Sequence, residues 1–89
     1  MSFHLDDLAL FARVAALRTL SAAARERDIP VSQVTRALNR LETACGARLI
    51  HRTTHGLSLT DEGDTLLQHG LRMLNTSEEL KAELHGRQS

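Results

Sequence analysis

The stretch that decides the fold is VSQVTRALNRLE, residues 31–42. At 3.6 residues per turn, its apolar side chains Val34, Leu38 and Leu41 form one stripe, which Cys45 continues. The opposite side is polar and carries the groups that read base edges in a DNA major groove, where arginine suits guanine and asparagine suits adenine. An ordinary surface helix is also polar on its outer face, so the neighbouring segments must decide between the two interpretations.

The composition indicates one small, mainly helical domain. The 89 residues include two phenylalanines and no Trp or Tyr, which favours closely packed helices built on Leu, Val and Ala. No apolar run is long enough to span a membrane, and no signal-peptide pattern opens the chain. The single cysteine forms neither an internal disulfide nor a metal cluster, so we expect a cytoplasmic protein without metal or cofactor.

The charge is unevenly distributed, although it sums to zero. Residues 13–55 hold eight arginines and three acidic residues, a net charge of +5, whereas residues 1–12 carry −2 and residues 56–89 carry −3. Arginine is the side chain best suited to bidentate contacts with phosphate and guanine. The middle of the chain is therefore a basic module, which indicates nucleic acid as a partner.

Two helices are predicted before the central stretch. Residues 5–17 have apolar side chains at helical spacing and two aspartates in the first turn, where negative charge suits the helix dipole. Ser21 is the predicted N-cap of a short helix that ends near Arg27. Its three consecutive alanines permit the close packing of a helix-turn-helix, although they are equally consistent with a simple helix former.

Turn residues bound the central helix on both sides. Asp28 tolerates a left-handed backbone, and the helix begins at Pro30 or, if Ser32 caps it, two residues later. It ends near Cys45, because Gly46 is a usual residue after a helix. The thiol of Cys45 lies on the apolar stripe, so we expect an inert core cysteine.

A β-hairpin is predicted after the central helix. Leu49-Ile50 and residues 57–60 are short β-type segments that flank a bend at residues 53–56, with glycine at the bend. Basic side chains in so short a hairpin favour a wing on the DNA backbone or in a minor groove over a solvent-exposed turn.

A long last helix is predicted from its N-cap Thr60 to about His85. Its apolar side chains form two neighbouring rows, and so small a domain covers only one, which leaves the other for a second copy. Glycine in mid-helix indicates a close backbone approach; the alternative for the far end is fraying beyond Asn75. The predicted dimerisation residues are Leu66, Gly70, Met73 and Leu80.

This order of elements is that of a winged helix-turn-helix, and the sequence resembles the N-terminal DNA-binding region of LysR-type transcriptional regulators. The resemblance covers roughly residues 5–75. It is carried by Leu8, Phe11, Val14-Ala15, Ser21, Ala23-Ala24, Val34-Thr35-Arg36, Leu38, Leu41-Glu42, Gly46-Ala47-Arg48-Leu49, Arg52-Thr53-Thr54, Leu59-Thr60 and Glu62-Gly63.

The resemblance implies sequence-specific binding to double-stranded DNA by a dimer on a partly palindromic promoter site. Residues 1–60 would form the winged helix-turn-helix domain, with its recognition helix in the major groove and its wing in the minor groove. Residues 61–89 would form the dimerising linker helix. The family's C-terminal effector-binding domain is expected to be absent here. The resemblance implies that a small-molecule effector acts only through that domain and that a higher oligomer is open to the full-length protein. The expected location is the bacterial cytoplasm, in association with the nucleoid.

The expected DNA-binding residues form two groups. The base-reading group is Ser32, Gln33, Thr35, Arg36 and Asn39, and the backbone and wing group is Ser21, Arg40, Arg48, Arg52, Thr53, Thr54 and His55. The chain departs from the family at Arg18, which replaces a frequent glycine, at Val31, where glutamine is common, and at His55, where arginine is common.

An enzyme is not expected, because the sequence has no nucleophile elbow, no phosphate-binding glycine loop and no metal-ligand spacing. The alternative function is a winged-helix protein-interaction module that dimerises without DNA. That alternative predicts no salt-sensitive affinity for duplex DNA.

Overall fold

Six elements follow one another in the structure, a computed structural model that describes residues 1–86. They are α1 (Leu5–Leu17), α2 (Leu20–Arg27), α3 (Val31–Cys45), β1 (Ile50–Thr53), β2 (Gly56–Leu59) and α4 (Asp61–Gly86). The predicted fold class, a three-helix winged helix-turn-helix followed by a long helix, is confirmed. Residues 87–89, which belong to the expected linker helix, lie outside the described residues.

The hydrophobic core is built around α1, which packs against α2, α3 and α4. Phe11 and Val14 of α1 are completely buried. The predicted apolar stripe of α3 is confirmed, because Val34, Leu38 and Leu41 all lie in the same core. Burial of each such side chain contributes about 1.5–3 kcal/mol, which holds α3 with its polar face outward. Cys45 is half-buried on this stripe, and burial raises the pKa of its thiol, consistent with an inert cysteine.

Left-handed residues end each of the first three helices. Asp28 adopts φ 56° and Gly46 adopts φ 67°, as predicted for the ends of α2 and α3. Arg18 ends α1 with φ 66°, at the position where glycine is frequent in the family that the sequence resembles. A side chain with a Cβ atom destabilises this conformation, because the Cβ approaches the following carbonyl oxygen.

The predicted N-cap of α2 was wrong. Thr19, not Ser21, is the N-cap, and its Oγ1 accepts a hydrogen bond from the Ala22 N–H at 2.9 Å. Both are capping residue types two positions apart, and the left-handed turn at Arg18 sets the helix to begin at Leu20. At the start of α3, Pro30 takes the N-cap position without a side-chain cap.

The hairpin is antiparallel, with register from Ile50 opposite Leu59 to Thr53 opposite Gly56. Thr54 and His55 form its two-residue turn, and Gly56 follows with φ 117°, a conformation that favours glycine. The predicted wing is confirmed as a structural element.

α4 is one continuous helix of 26 residues, about 39 Å long at 1.5 Å per residue. The predicted N-cap is confirmed, because Thr60 Oγ1 accepts a hydrogen bond from the Gly63 N–H at 2.9 Å. The helix passes Asn75 without interruption, so the fraying alternative is not observed. No helix in the described part of the chain is long and apolar enough to cross a membrane.

Candidate nucleic-acid interface

The outer face of α3 presents the five expected base-reading residues. Ser32, Gln33, Arg36 and Asn39 are exposed and Thr35 is half-buried. The Arg36 side chain makes no hydrogen bond or ion pair with any residue of the described range 1–86, so all its N–H donors are available to an external acceptor.

The arginines differ in whether an internal carboxylate already holds them. Arg13 makes a bidentate contact with Glu26 at 2.7 and 2.9 Å, and Arg40 makes one with Asp7 at 2.9 Å for both bonds. Within residues 1–86, five arginines make no side-chain hydrogen bond or ion pair: Arg18, Arg25, Arg27, Arg36 and Arg52. These five can contact phosphate or guanine without losing an internal partner.

The pair of Asp7 and Arg40 joins α1 to the exposed side of α3. The Asp7 side chain is 10% exposed and that of Arg40 is 57% exposed. The hydrogen bond from Arg40 lowers the pKa of Asp7, although burial acts in the opposite direction. Arg40 uses Nε and Nη2 for this contact, which leaves Nη1 for an external acceptor. Sequence reasoning named Arg40 but missed Asp7, because the two lie 33 positions apart.

The base of the wing is held from two helices. The Leu49 N–H donates a hydrogen bond to Glu42 Oε2 of α3 at 2.8 Å, and Arg48 Nε lies 3.7 Å from the same oxygen. From the α4 side, the Thr60 hydroxyl donates to the Arg48 carbonyl at 2.6 Å, and the Thr60 N–H donates to the Leu49 carbonyl at 3.0 Å. The orientation of the wing relative to α3 is therefore fixed where the wing begins.

The tip of the wing is exposed and internally bonded. Thr53 Oγ1 donates to the Gly56 carbonyl at 3.1 Å and accepts from the His55 N–H at 3.2 Å. Arg52, Thr54 and His55 are exposed. At the other end of the surface, Ser21 is exposed in the first turn of α2.

The expected dimerisation residues divide between the interior and the surface. Gly70 is buried, and a Cβ atom there would lie 2.8 Å from Leu8 Cδ1. The expected backbone approach at Gly70 is thus a side-chain contact with α1 of the same chain. Leu66 is half-buried against the same core, whereas Met73 is 38% exposed and Leu80 is 54% exposed.

Within residues 1–86, no group of three His, Cys, Asp or Glu side chains is placed to hold a metal ion.

Comparisons with known proteins match this geometry. The family model described as "Bacterial regulatory helix-turn-helix protein, lysR family" matches residues 5–64. The probable HTH-type transcriptional regulator LtrA of Klebsiella pneumoniae is 39% identical over 85 residues, which cover 96% of this chain and 28% of LtrA. The chain spans little more than a quarter of the length of LtrA and of a second relative, from Xanthomonas campestris. Both relatives are named as transcriptional regulators.

Two solved structures show the same fold. A C206 mutant of OxyR from Corynebacterium glutamicum superposes with a TM-score of 0.89 at 28% identity, over 97% of this chain and 28% of that one. The BenM DNA-binding domain, in complex with catB site 1 DNA, superposes with a TM-score of 0.92 at 22% identity, over 98% of both chains. At that identity the likeness to BenM establishes the fold alone.

Proposed function

This chain belongs to the lysR family of bacterial regulatory helix-turn-helix proteins, and from that membership we propose that it binds double-stranded DNA sequence-specifically as part of a transcriptional regulator. The observation that carries the proposal is the exposed face of α3, where Arg36 has no partner among residues 1–86. That face stands beside a basic hairpin, and the relatives' names support a non-enzymatic role in transcription.

In this proposal α3 lies in the major groove. Arg36 donates two hydrogen bonds to a guanine and Asn39 pairs with an adenine, the geometries that discriminate best among bases. Ser32 and Gln33 belong to the N-terminal turn of α3, the part of a recognition helix that contacts base edges. Thr35, which is half-buried on the same helix, offers a hydroxyl and a methyl group.

The remaining contacts position the protein on the duplex. The wing residues Arg52, Thr54 and His55 lie along the minor groove, and Thr53 holds their turn. Phosphates are contacted by Ser21 at the start of α2, by the free Nη1 of Arg40 and by the exposed guanidinium of Arg48.

A homodimer places two such surfaces on one site. Some apolar side chains of α4 pack on the core of the domain, but others stay exposed along the helix. These exposed side chains favour a second copy of the same helix as partner. They are Met73, Leu80 and Leu84, which share one side of the helix, and Leu71, which lies on the other side beside the groove with α1. An effector would act through a further domain, in keeping with the greater length of the relatives.

Selection of bound duplexes from a random pool, followed by titration with salt, tests this function. Log K is expected to fall against log salt with a slope of about −5 to −9, because a dimer contacts roughly 6–10 phosphates. Arg36→Ala should lose about 1–3 kcal/mol on the selected duplex and relax base preference at one position. Arg27→Ala, which removes an unpaired arginine from the groove between α1 and α4, is the matched control.

Two results would contradict the proposal. One is that no duplex is enriched from the random pool and that the affinity for duplex DNA does not depend on salt, which would favour the protein-interaction alternative. The other is an Arg36→Ala variant that keeps the wild-type ratio of specific to random affinity, which would remove α3 as the reading element.

A further inference from the structure

A basic cleft lies between the beginning of α2 and the wing. Its volume is about 280 Å³. It is lined by Arg18, Thr19 and Leu20 from the turn into α2, and by Arg52, Thr53, Gly56 and Leu57 from the hairpin.

The cleft carries two positive charges and no negative one. Arg18 and Arg52 are exposed, neither has an internal partner among residues 1–86, and no carboxylate lines the cleft. Elsewhere in the domain, arginines beside carboxylates are paired, as Arg13 and Arg40 are. Two unpaired guanidinium groups on one cleft are suited to an anion with oxygens on more than one side, as in a phosphate group.

The backbone of Arg18 points to the same conclusion. It is left-handed, with φ 66° and ψ 10°, a conformation in which glycine is more stable than arginine. Inside residues 1–86 the Arg18 side chain gains no hydrogen bond or ion pair that would offset this cost. The left-handed backbone itself caps α1, because the Arg18 N–H donates a hydrogen bond to the Val14 carbonyl at 2.8 Å; the unpaired side chain is what remains available to a partner outside the protein.

We propose that Arg18 and Arg52 together bind one phosphate of the DNA backbone. Because Arg18 precedes α2 and Arg52 belongs to the wing, this shared contact holds the two elements on the same phosphate of the duplex. The proposal rests on the proposed function, since the phosphate is part of the bound DNA. The Thr19 hydroxyl accepts the capping bond from Ala22 and keeps its own proton as a further donor to this phosphate. Thr53 is already bonded within the wing turn and plays no part.

The test compares wild type, Arg18→Gly, Arg52→Ala and the double variant on the selected duplex and on a random duplex across a range of salt. Arg18→Gly is expected to weaken binding to both duplexes about eightfold per protomer at 0.1 M salt, so roughly sixtyfold for a dimer, and to flatten the salt slope by about one unit per protomer. The same variant should unfold at a higher urea concentration, because glycine relieves the left-handed backbone. Weaker binding by a more stable protein cannot result from misfolding.

The double variant tests whether one phosphate is shared. If both arginines contact the same phosphate, the double variant loses less affinity than the two single losses combined. Arg27→Ala serves as control, because Arg27 likewise makes no hydrogen bond or ion pair within residues 1–86 but lies at the opposite end of α2. It should leave the salt slope unchanged.

The outcomes separate this inference from the proposed function. A wild-type chain without salt-dependent affinity for duplex DNA overturns both. If the wild type binds as expected while Arg18→Gly keeps the wild-type affinity and slope, only the phosphate site is overturned. Strictly additive losses in the double variant likewise exclude a shared phosphate and leave the proposed function standing.

Discussion

The ion pair of Asp7 and Arg40 makes the stability of the folded chain depend on pH. Because the Arg40 hydrogen bond lowers the pKa of Asp7 in the folded chain, the Asp7 carboxylate is protonated less readily in the folded state than in the unfolded state. The stabilisation is therefore fully present above about pH 4, near the ordinary pKa of aspartate, and is lost as the pH falls through the lower folded value.

Substitution of Asp7 should remove this acid dependence. In urea unfolding between pH 6 and pH 2.5, Asp7→Asn is expected to be less stable than wild type at pH 6, and the difference should shrink below pH 4. Asp6→Asn is the control, since Asp6 is exposed in the same turn and makes no side-chain hydrogen bond within residues 1–86. Parallel pH profiles for wild type and Asp7→Asn would contradict the expectation.

Single residues could be predicted where their partners are close in sequence. The cap at Thr60 and the left-handed Gly46 depend on residues within one turn, so local patterns find them. Asp7 and Glu42 act on Arg40 and Leu49, and only the folded chain brings these groups together. No local pattern carries that information, which is why the exposed polar face of α3 was predictable and the groups that support it were not.

At the scale of elements, the contact from α3 to the wing depends on one carboxylate. Glu42→Ala leaves the buried Leu49 N–H without its acceptor, which should cost about 1–3 kcal/mol of unfolding free energy. Amide exchange at Leu49 should accelerate, and the bound protein should protect the minor groove less while still protecting the major groove. Glu42→Gln keeps an acceptor oxygen, so it is expected to retain most of the stability and most of the minor-groove protection. If the Ala and Gln variants behave alike, the hydrogen bond does not position the wing.

The junction of β1 and α4 tolerates no side chain at its closest point. A Cβ atom on Gly63 would overlap the Leu49 carbonyl oxygen, which is backbone and cannot swing aside. Gly63→Ala should therefore cost about 3 kcal/mol of unfolding free energy. At Gly70 the neighbour is the flexible Leu8 side chain, and alanine gains about 1 kcal/mol of helix propensity, so Gly70→Ala should stay within about 1 kcal/mol of wild type. Urea denaturation of both variants checks this order, and the reverse order would contradict it.

The elements themselves were predictable because their signals are strong and local. Apolar spacing defined α1 and α3, and two short β-type segments around a bend with glycine defined the hairpin. The start of α2 was misplaced because Thr19 and Ser21 compete as caps, and the left-handed Arg18 decides between them. The mid-helix glycine predicts a close approach at Gly70, but sequence spacing does not reveal that Leu8 of α1 lies on that side of α4.

At the scale of the whole molecule, the proposed dimer depends on the exposed row of α4 formed by Met73, Leu80 and Leu84. Leu80→Asp places a charge in that row without disturbing the core, because Leu80 is 54% exposed. Sedimentation should show a monomer, and affinity for a duplex with two half-sites should fall to that for one. Ala82→Asp is the control: it adds the same charge to another side of the same helix, since residues two apart do not face each other. A dimer that survives Leu80→Asp would place the interface elsewhere.

The Thr60 hydroxyl joins the start of α4 to the base of the wing. It caps α4 and also holds the Arg48 carbonyl where the wing begins, so the long helix and the hairpin share one pivot. With a lever arm of about 39 Å, a rotation of about 5° at this pivot moves the far end of α4 by about 3 Å. Displacements imposed on the far end are correspondingly reduced at the wing. A large displacement of the far end of α4 therefore corresponds to only a small change in the angle between α4 and the wing.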